Sequence, residues 1–173
     1  MTSRRKFITQ SALASAAIAS NPFQSLNAQN RITQEGPKGL ARTPINFPDN
    51  NGIGGVAFGN GFHQNTNEAI TETLQAAWDS GVRYFDTSPW YGLGLSERRL
   101  GHFLFQKKRE DFLLSTKVGR VLEPNATFTP NPDLLWKGSL NFKHKYDYTA
   151  EGVRKSVEDS LHRLGLASLD IVF

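Results

Sequence analysis

Residues 81–101 read Gly-Val-Arg-Tyr-Phe-Asp-Thr-Ser-Pro-Trp-Tyr-Gly-Leu-Gly-Leu-Ser-Glu-Arg-Arg-Leu-Gly, and the rest of the chain is organised around them. Val82 to Phe85 is a β-branched and aromatic run of the kind that forms a short buried strand. It leads into Asp86, a carboxylate at the strand's C-terminal end. Thr87, Ser88 and Pro89 do not continue a strand easily, so a loop begins there and carries Trp90 and Tyr91. Ser96 is expected to cap a helix running to about Lys107, with Leu100, Phe103 and Leu104 as its apolar positions. Strand, loop and helix make one βα unit, and such folds place their chemistry at the carboxyl ends of the strands.

On this stretch alone, Asp86 reads equally well as a solvated turn residue and Tyr91 as a packing aromatic. The next unit shifts that balance. Phe112 to Thr116 is a second short buried strand, and it ends on Lys117. An ammonium at the end of a buried strand needs a partner, because an unpaired buried charge is costly. Asp86 and Lys117 stand at equivalent ends of successive strands and form the expected pair.

Two further strands fit the same pattern. Gly52 to Asn60 is the first strand with its exit loop, and Leu169 to Phe173 opens a fourth. Between them, Asn65 to Gly81 is a predicted helix with an Asn65–Glu68 capping box and an apolar face of Ile70, Leu74 and Trp78. A third helix begins at Thr149, with Tyr148 and Val153 as a hydrophobic staple. Its stripe is Val153, Val157, Leu161 and Leu164, and Gly165 closes it. Repeated βα units predict an α/β fold with a parallel barrel. A complete (β/α)8 barrel takes about 250 residues, and four strands alone leave two unpaired edges. Residues 52–173 are therefore expected to be the N-terminal half of a parallel (β/α)8 barrel. The long stretch from Val118 to Asp147 holds Pro124, Pro130 and Pro132 with Phe128, Trp136, Phe142 and Tyr146. It is expected to be irregular, either a wall of a substrate pocket or a loosely packed insertion.

The start of the chain has a different character. Residues 1–28 carry Ser3-Arg4-Arg5-Lys6-Phe7-Ile8 followed by an Ala-rich run from Ser11 to Ala19, the pattern of a twin-arginine signal peptide. That run is too short and too weakly apolar to span a bilayer. Cleavage after Ala19 or Ala28 fits, Ala28 leaving the longer apolar region. Export by the twin-arginine machinery into the periplasm or beyond follows as an expectation. Residues 29–51, rich in Pro, Asn and Gly, are expected to be a linker into the domain, with room for a short hairpin under the barrel.

Composition narrows the chemistry. The 173 residues include no Cys, and the four His show no metal-ligand spacing, so no metal site is expected. The net charge of +4 includes Arg4, Arg5 and Lys6, and no basic stripe outside the leader points to nucleic acid. Gly92-Leu93-Gly94 lacks the third glycine of a Gly-x-Gly-x-x-Gly dinucleotide fingerprint.

Gly-Val-Arg-Tyr-Phe-Asp-Thr-Ser-Pro-Trp-Tyr-Gly, then Ser-Glu-Arg-Arg-Leu-Gly, then Leu-Leu-Ser-Thr-Lys-Val-Gly, resembles the aldo-keto reductases from about Gly52 to Phe173. Within them the chain is most similar to the aldose 1-dehydrogenase and fucose dehydrogenase group. The resemblance implies hydride transfer between a nicotinamide cofactor, NADP or NAD, and a sugar anomeric carbon or other aldehyde or ketone. It implies Tyr91 as the proton-handling hydroxyl, Lys117 as the ammonium that assists it, and Asp86 as the carboxylate that holds the lysine. A free phenol ionises only near pH ~10, and an adjacent ammonium favours its ionised form. Cofactor contacts are expected at Gly59, Asn60 and Asp86. A catalytic His is expected just after the fourth strand, past Phe173, so residues 1–173 alone are expected to be inactive. Two rival readings are a non-enzymatic cofactor-binding member of the family and an exported barrel hydrolase. The hydrolase would need two carboxylates about 5–9 Å apart, and only Asp86 is well placed.

Overall fold

The computed structural model describes residues 47–48, 52–129 and 135–173. The expected signal peptide lies outside the described residues, as does the linker apart from Phe47 and Pro48.

Four short strands, β1 (Ile53–Gly54), β2 (Tyr84–Asp86), β3 (Leu113–Thr116) and β6 (Ile171–Val172), form one sheet in that order. Every pairing in it is parallel, with Phe85 opposite both Ile53 and Leu114, and Ser115 opposite Ile171. Helices α1 (Asn67–Asp79), α2 (Leu95–Leu104) and α3 (Ala150–Leu164) link the strands. The architecture is α/β, a partial (β/α) barrel.

Alternation along the strands decides which face meets the helices. Phe85 and Leu114 are fully buried and join Ile70, Leu74, Leu100, Phe103, Leu104, Phe112 and Leu164 in the core. Trp78 wedges into this cluster, stacked on Phe85 at 6.3 Å and edge-on to Phe103 and Phe112. The Arg83 guanidinium covers its other side, 3.8 Å from the ring centroid. The alternate residues Tyr84, Asp86 and Ser115 fall on the opposite face and touch one another there.

Two joints hold the helices to the sheet. Glu97 is fully buried, accepting from Thr116 Oγ1 at 2.9 Å and from Arg163 Nε at 2.6 Å. One carboxylate thereby ties β3, α2 and α3 together. At Gly101 the two helices pack so closely that a Cβ would overlap the Leu164 carbonyl group. A glycine in mid-helix is normally unfavourable; here only its lack of a side chain lets α2 and α3 meet.

Several local expectations are corrected. Ser96 is not the cap of α2. The helix starts at Leu95 after Gly94, and the buried Ser96 hydroxyl donates to the Gly55 carbonyl at 2.8 Å with Thr87 Oγ1 beside it. The cap of α1 is Thr66, which accepts from Ala69 N, because Asn65 is drawn off to donate to the Ala57 carbonyl. Thr149 does cap α3 and Gly165 closes it. Of its expected stripe Leu164 is buried, whereas Val153, Val157 and Leu161 are only half-buried, and the small residues Gly152, Ser156 and Ser160 complete the buried face. Tyr148, expected as a staple on Val153, is exposed and stacks on Tyr146.

The largest difference is the segment after Lys117. In place of an irregular loop, β4 (Arg120–Pro124) and β5 (Phe142–Tyr146) pair as an antiparallel hairpin, with Arg120 opposite Tyr146 and Pro124 opposite Phe142. Pro124 sits at the strand's end, where its missing N–H disturbs the ladder least. Among the described residues no helix is long and apolar enough to cross a membrane.

Candidate active site

The site is built at the carboxyl ends of β2 and β3. Asp86 closes β2, and Lys117 follows β3. Lys117 Nζ lies 2.7 Å from Asp86 Oδ2 and 2.9 Å from Oδ1, and 3.0 Å from the Thr87 carbonyl. The pair stays open to solvent, with side chains 33% and 25% exposed. The expected ion pair is thus present where the strand ends placed it.

Asp86 is held by a second group that the sequence reading passed over. Ser115 Oγ donates to Asp86 Oδ1 at 2.7 Å and itself lies 3.0 Å from the Tyr84 hydroxyl. The signal was available: in Leu113-Leu114-Ser115-Thr116, alternation sends Ser115 to the same face as Asp86 once the strands pair.

Tyr91 joins the pair from the loop after β2. The Lys117 ammonium lies over its ring, 4.9 Å from the centroid, within the range of a cation–π contact. Behind it, Gly59 approaches the Tyr91 backbone so closely that a Cβ there would overlap the Tyr91 carbonyl group. Gly59 and Asn60 are therefore the frame of the tyrosine loop. Asn60 is 1% exposed; its Oδ1 accepts from Asn65 N and from Arg99 Nη1, and its Nδ2 faces the Gly138 carbonyl. Arg99 ties the same frame together through Phe58, Asn65 and Asn67. Burial lowers the pKa of its guanidinium, and the charge of Glu68 opposes that shift.

The hairpin adds an aromatic wall. Trp136 packs edge-on to Trp90 at 5.0 Å and tilted against Tyr91 at 5.6 Å. Arg120 lies between Trp90 and Tyr146, 4.5 and 5.0 Å from their centroids. On β5, burial lowers the pKa of His144, and the nearby Arg120 charge lowers it further, which favours neutral imidazole. Among the described residues, no group of three His, Cys, Asp or Glu side chains could hold a metal ion.

A groove of about 790 Å³ also opens between α1 and α2, lined by Glu68, Glu72, Leu95, Arg98 and His102 among others. It contains none of Asp86, Tyr91 or Lys117, and the converging phenol, ammonium and carboxylate mark the chemistry better than volume does.

A parallel βα sheet with a phenol, an ammonium and a carboxylate converging at its carboxyl rim defines a barrel-type protein with a polar site on that rim. The chain belongs to the aldo/keto reductase family, whose model matches residues 52–173. It is 42% identical over 125 residues to D-threo-aldose 1-dehydrogenase from a Pseudomonas species, covering 70% of this chain and 38% of that protein. To pyridoxal 4-dehydrogenase from Microbacterium luteolum it is 42% identical over 108 residues, covering 58% and 31%. Among solved structures, glycerol dehydrogenase from Gluconobacter oxydans matches with a TM-score of 0.51 at 28% identity, covering 70% of this chain and 33% of that one. The chain thus spans about a third of the length of these relatives.

Proposed function

We propose that this chain carries the proton-handling part of an NAD(P)-dependent oxidoreductase acting on an aldose or another small aldehyde or ketone. One observation carries the reading: the Asp86–Lys117 pair, at 2.7 Å, lies against the ring of Tyr91 at the carboxyl ends of parallel strands. In the reducing direction a carbonyl carbon gains a hydride and its oxygen gains a proton. In the oxidising direction a sugar's anomeric carbon gives up a hydride, its hydroxyl gives up a proton, and a lactone results. The nicotinamide, NADP or NAD, supplies or accepts the hydride when bound.

The residues on the rim fit that partner. Asp86 and Lys117 are partly open rather than sealed, so a bound ring and a substrate oxygen can come close enough to feel their charge. Of the three expected cofactor contacts, Asp86 is the one whose side chain has this access. Gly59 and Asn60 support the loop that presents Tyr91. In the proposed reaction the Tyr91 hydroxyl gives or takes the proton, Lys117 stabilises the oxygen that carries negative charge, and Asp86 and Ser115 hold Lys117 in place. An acid–base group of this kind is worth about 10²–10⁴-fold in rate.

The test is nucleotide absorbance at substrate turnover, using the full-length protein with a panel of aldoses, aldehydes and ketones. Lys117→Met keeps the side chain's length and removes its charge. Turnover is expected to fall by about 10²-fold or more, with Asp86 left solvated rather than buried. A variant as fast as wild type removes Lys117 from the reaction, and no turnover of any carbonyl or sugar by the wild type overturns the reading itself.

The proposal extends to export, supported by the Arg4-Arg5 motif and the Ala-rich run behind it. Replacing Arg4 and Arg5 with Lys is expected to leave the protein in the cytoplasmic fraction. Unchanged export of that double variant would reject the twin-arginine route.

A further inference from the structure

Trp136 sits in the connection between β4 and β5 and is 2% exposed, the most buried aromatic that the hairpin segment contributes. Its backbone bridges to Gly61 in the exit loop of β1. A Cβ on Gly61 would lie 2.6 Å from Val56 Cγ1 and 3.1 Å from Trp136 Cζ3, so the indole lies flush on that loop. Three backbone hydrogen bonds fasten the same neighbourhood. Phe62 N donates to Leu135 O at 3.0 Å, Lys137 N to Asn60 O at 3.0 Å, and Leu140 N to Gly92 O at 3.1 Å.

The indole meets two consecutive residues of the loop after β2. It stands edge-on to Trp90, at 89°, and leans on Tyr91 at 45°. Trp90 is itself held by the Arg120 guanidinium. The Trp136 indole N–H meets no acceptor among the described residues, so ring packing, not a hydrogen bond, fixes its place. Tyr91 is then bounded on its backbone by Gly59 and on its ring by Lys117 and Trp136.

We infer that Trp136 is a positioning residue for Tyr91: the hairpin's indole fixes the inclination of the phenol beside Lys117. The inference rests on the proton-handling role proposed for Tyr91. A tyrosine hydroxyl lies on the axis about which its ring turns, so it is displaced instead by the side chain's freedom to swing about its Cα–Cβ bond. A second ring leaning on it narrows that freedom without touching the hydroxyl. Loosening a reacting group by about 1 Å can cost on the order of 10²-fold in rate.

The test is a double-mutant cycle in the full-length protein, with folding checked by circular dichroism. Trp136→Leu keeps an apolar plug but no ring face, and Trp136→Phe keeps a smaller ring. The leucine variant is expected to lose about 10²-fold in kcat, and the phenylalanine variant several-fold, with nucleotide affinity unchanged in both. In a Tyr91→Phe background neither substitution should lower the residual rate further. An undiminished kcat in the leucine variant, or an equal loss in the Tyr91→Phe background, overturns the inference. Where the leucine variant does not fold, the phenylalanine variant decides by the same cycle. Should Tyr91→Phe alone keep the full rate, the proposed role of Tyr91 fails first, and that outcome is distinct from either of the others.

Discussion

Tyr91→Phe is expected to reduce turnover of the full-length protein by about 10²–10⁴-fold while leaving nucleotide affinity where it was. The substitution deletes one oxygen and little else. The phenylalanine ring would keep its contact with Trp136 and its place under Lys117, since both are made to the ring rather than to the hydroxyl. Loss of rate therefore reports the missing proton donor rather than a collapsed loop. Steady-state turnover, with nucleotide affinity measured by fluorescence quenching, separates the two. A variant retaining more than about a tenth of the wild-type rate would take Tyr91 out of the acid–base role, because such groups contribute at least that much.

Glu97→Ala is expected to be the most damaging single change to the fold, lowering stability by about 3–5 kcal/mol. Glu97 is fully buried, whereas Arg163 is 15% exposed at its side chain. Removing the carboxylate strands the guanidinium half-sealed and leaves Thr116 Oγ1 without its acceptor. An ordinary domain is stable by only about 5–15 kcal/mol, so the variant should unfold at markedly lower denaturant. The double variant Glu97→Met with Arg163→Met should recover much of the loss, since a buried pair can be replaced by apolar groups of similar volume at little net cost. A midpoint in urea equal to that of wild type for Glu97→Ala would show that the network contributes nothing. Failure of the double variant to recover would point instead to the shape of the joint.

Much of this was legible from spacing. Val82–Phe85 and Phe112–Thr116 have few alternatives to short buried strands, and the position of a charged residue right after each one places Asp86 and Lys117 together. The core positions of α1 and α2 likewise follow from their period. Legibility stopped where tertiary contacts override local signals. Ser96 has the right chemistry for a cap, but a hydroxyl facing a packed sheet serves better by satisfying the Gly55 carbonyl. The valines of α3 mark a stripe that stays half-buried, while Gly152, Ser156 and Ser160 are buried with Leu164, where Gly152 meets the Asp147 side chain and Leu164 meets Gly101 of α2. The hairpin was hidden because its strands, carrying Arg, Glu, Lys and His and, in β4, ending on a proline, lack the alternation that flags a sheet. Ser115 and Trp136 escaped for a related reason, as only the pairing of distant segments shows what they touch.

The contacts of Lys117 limit what that side chain can do. An ammonium has three hydrogens, and three acceptors surround this one: both Asp86 oxygens and the Thr87 carbonyl. No hydrogen is left over for a visiting molecule. In the proposed reaction Lys117 is then a stationary charge, acting through its field, and the traffic of protons to a substrate oxygen has a single gate at the Tyr91 hydroxyl. An arginine in its place would carry the same charge, but its planar fork could not meet the same three acceptors. Charge alone is therefore a poor guide to which substitutions this position tolerates.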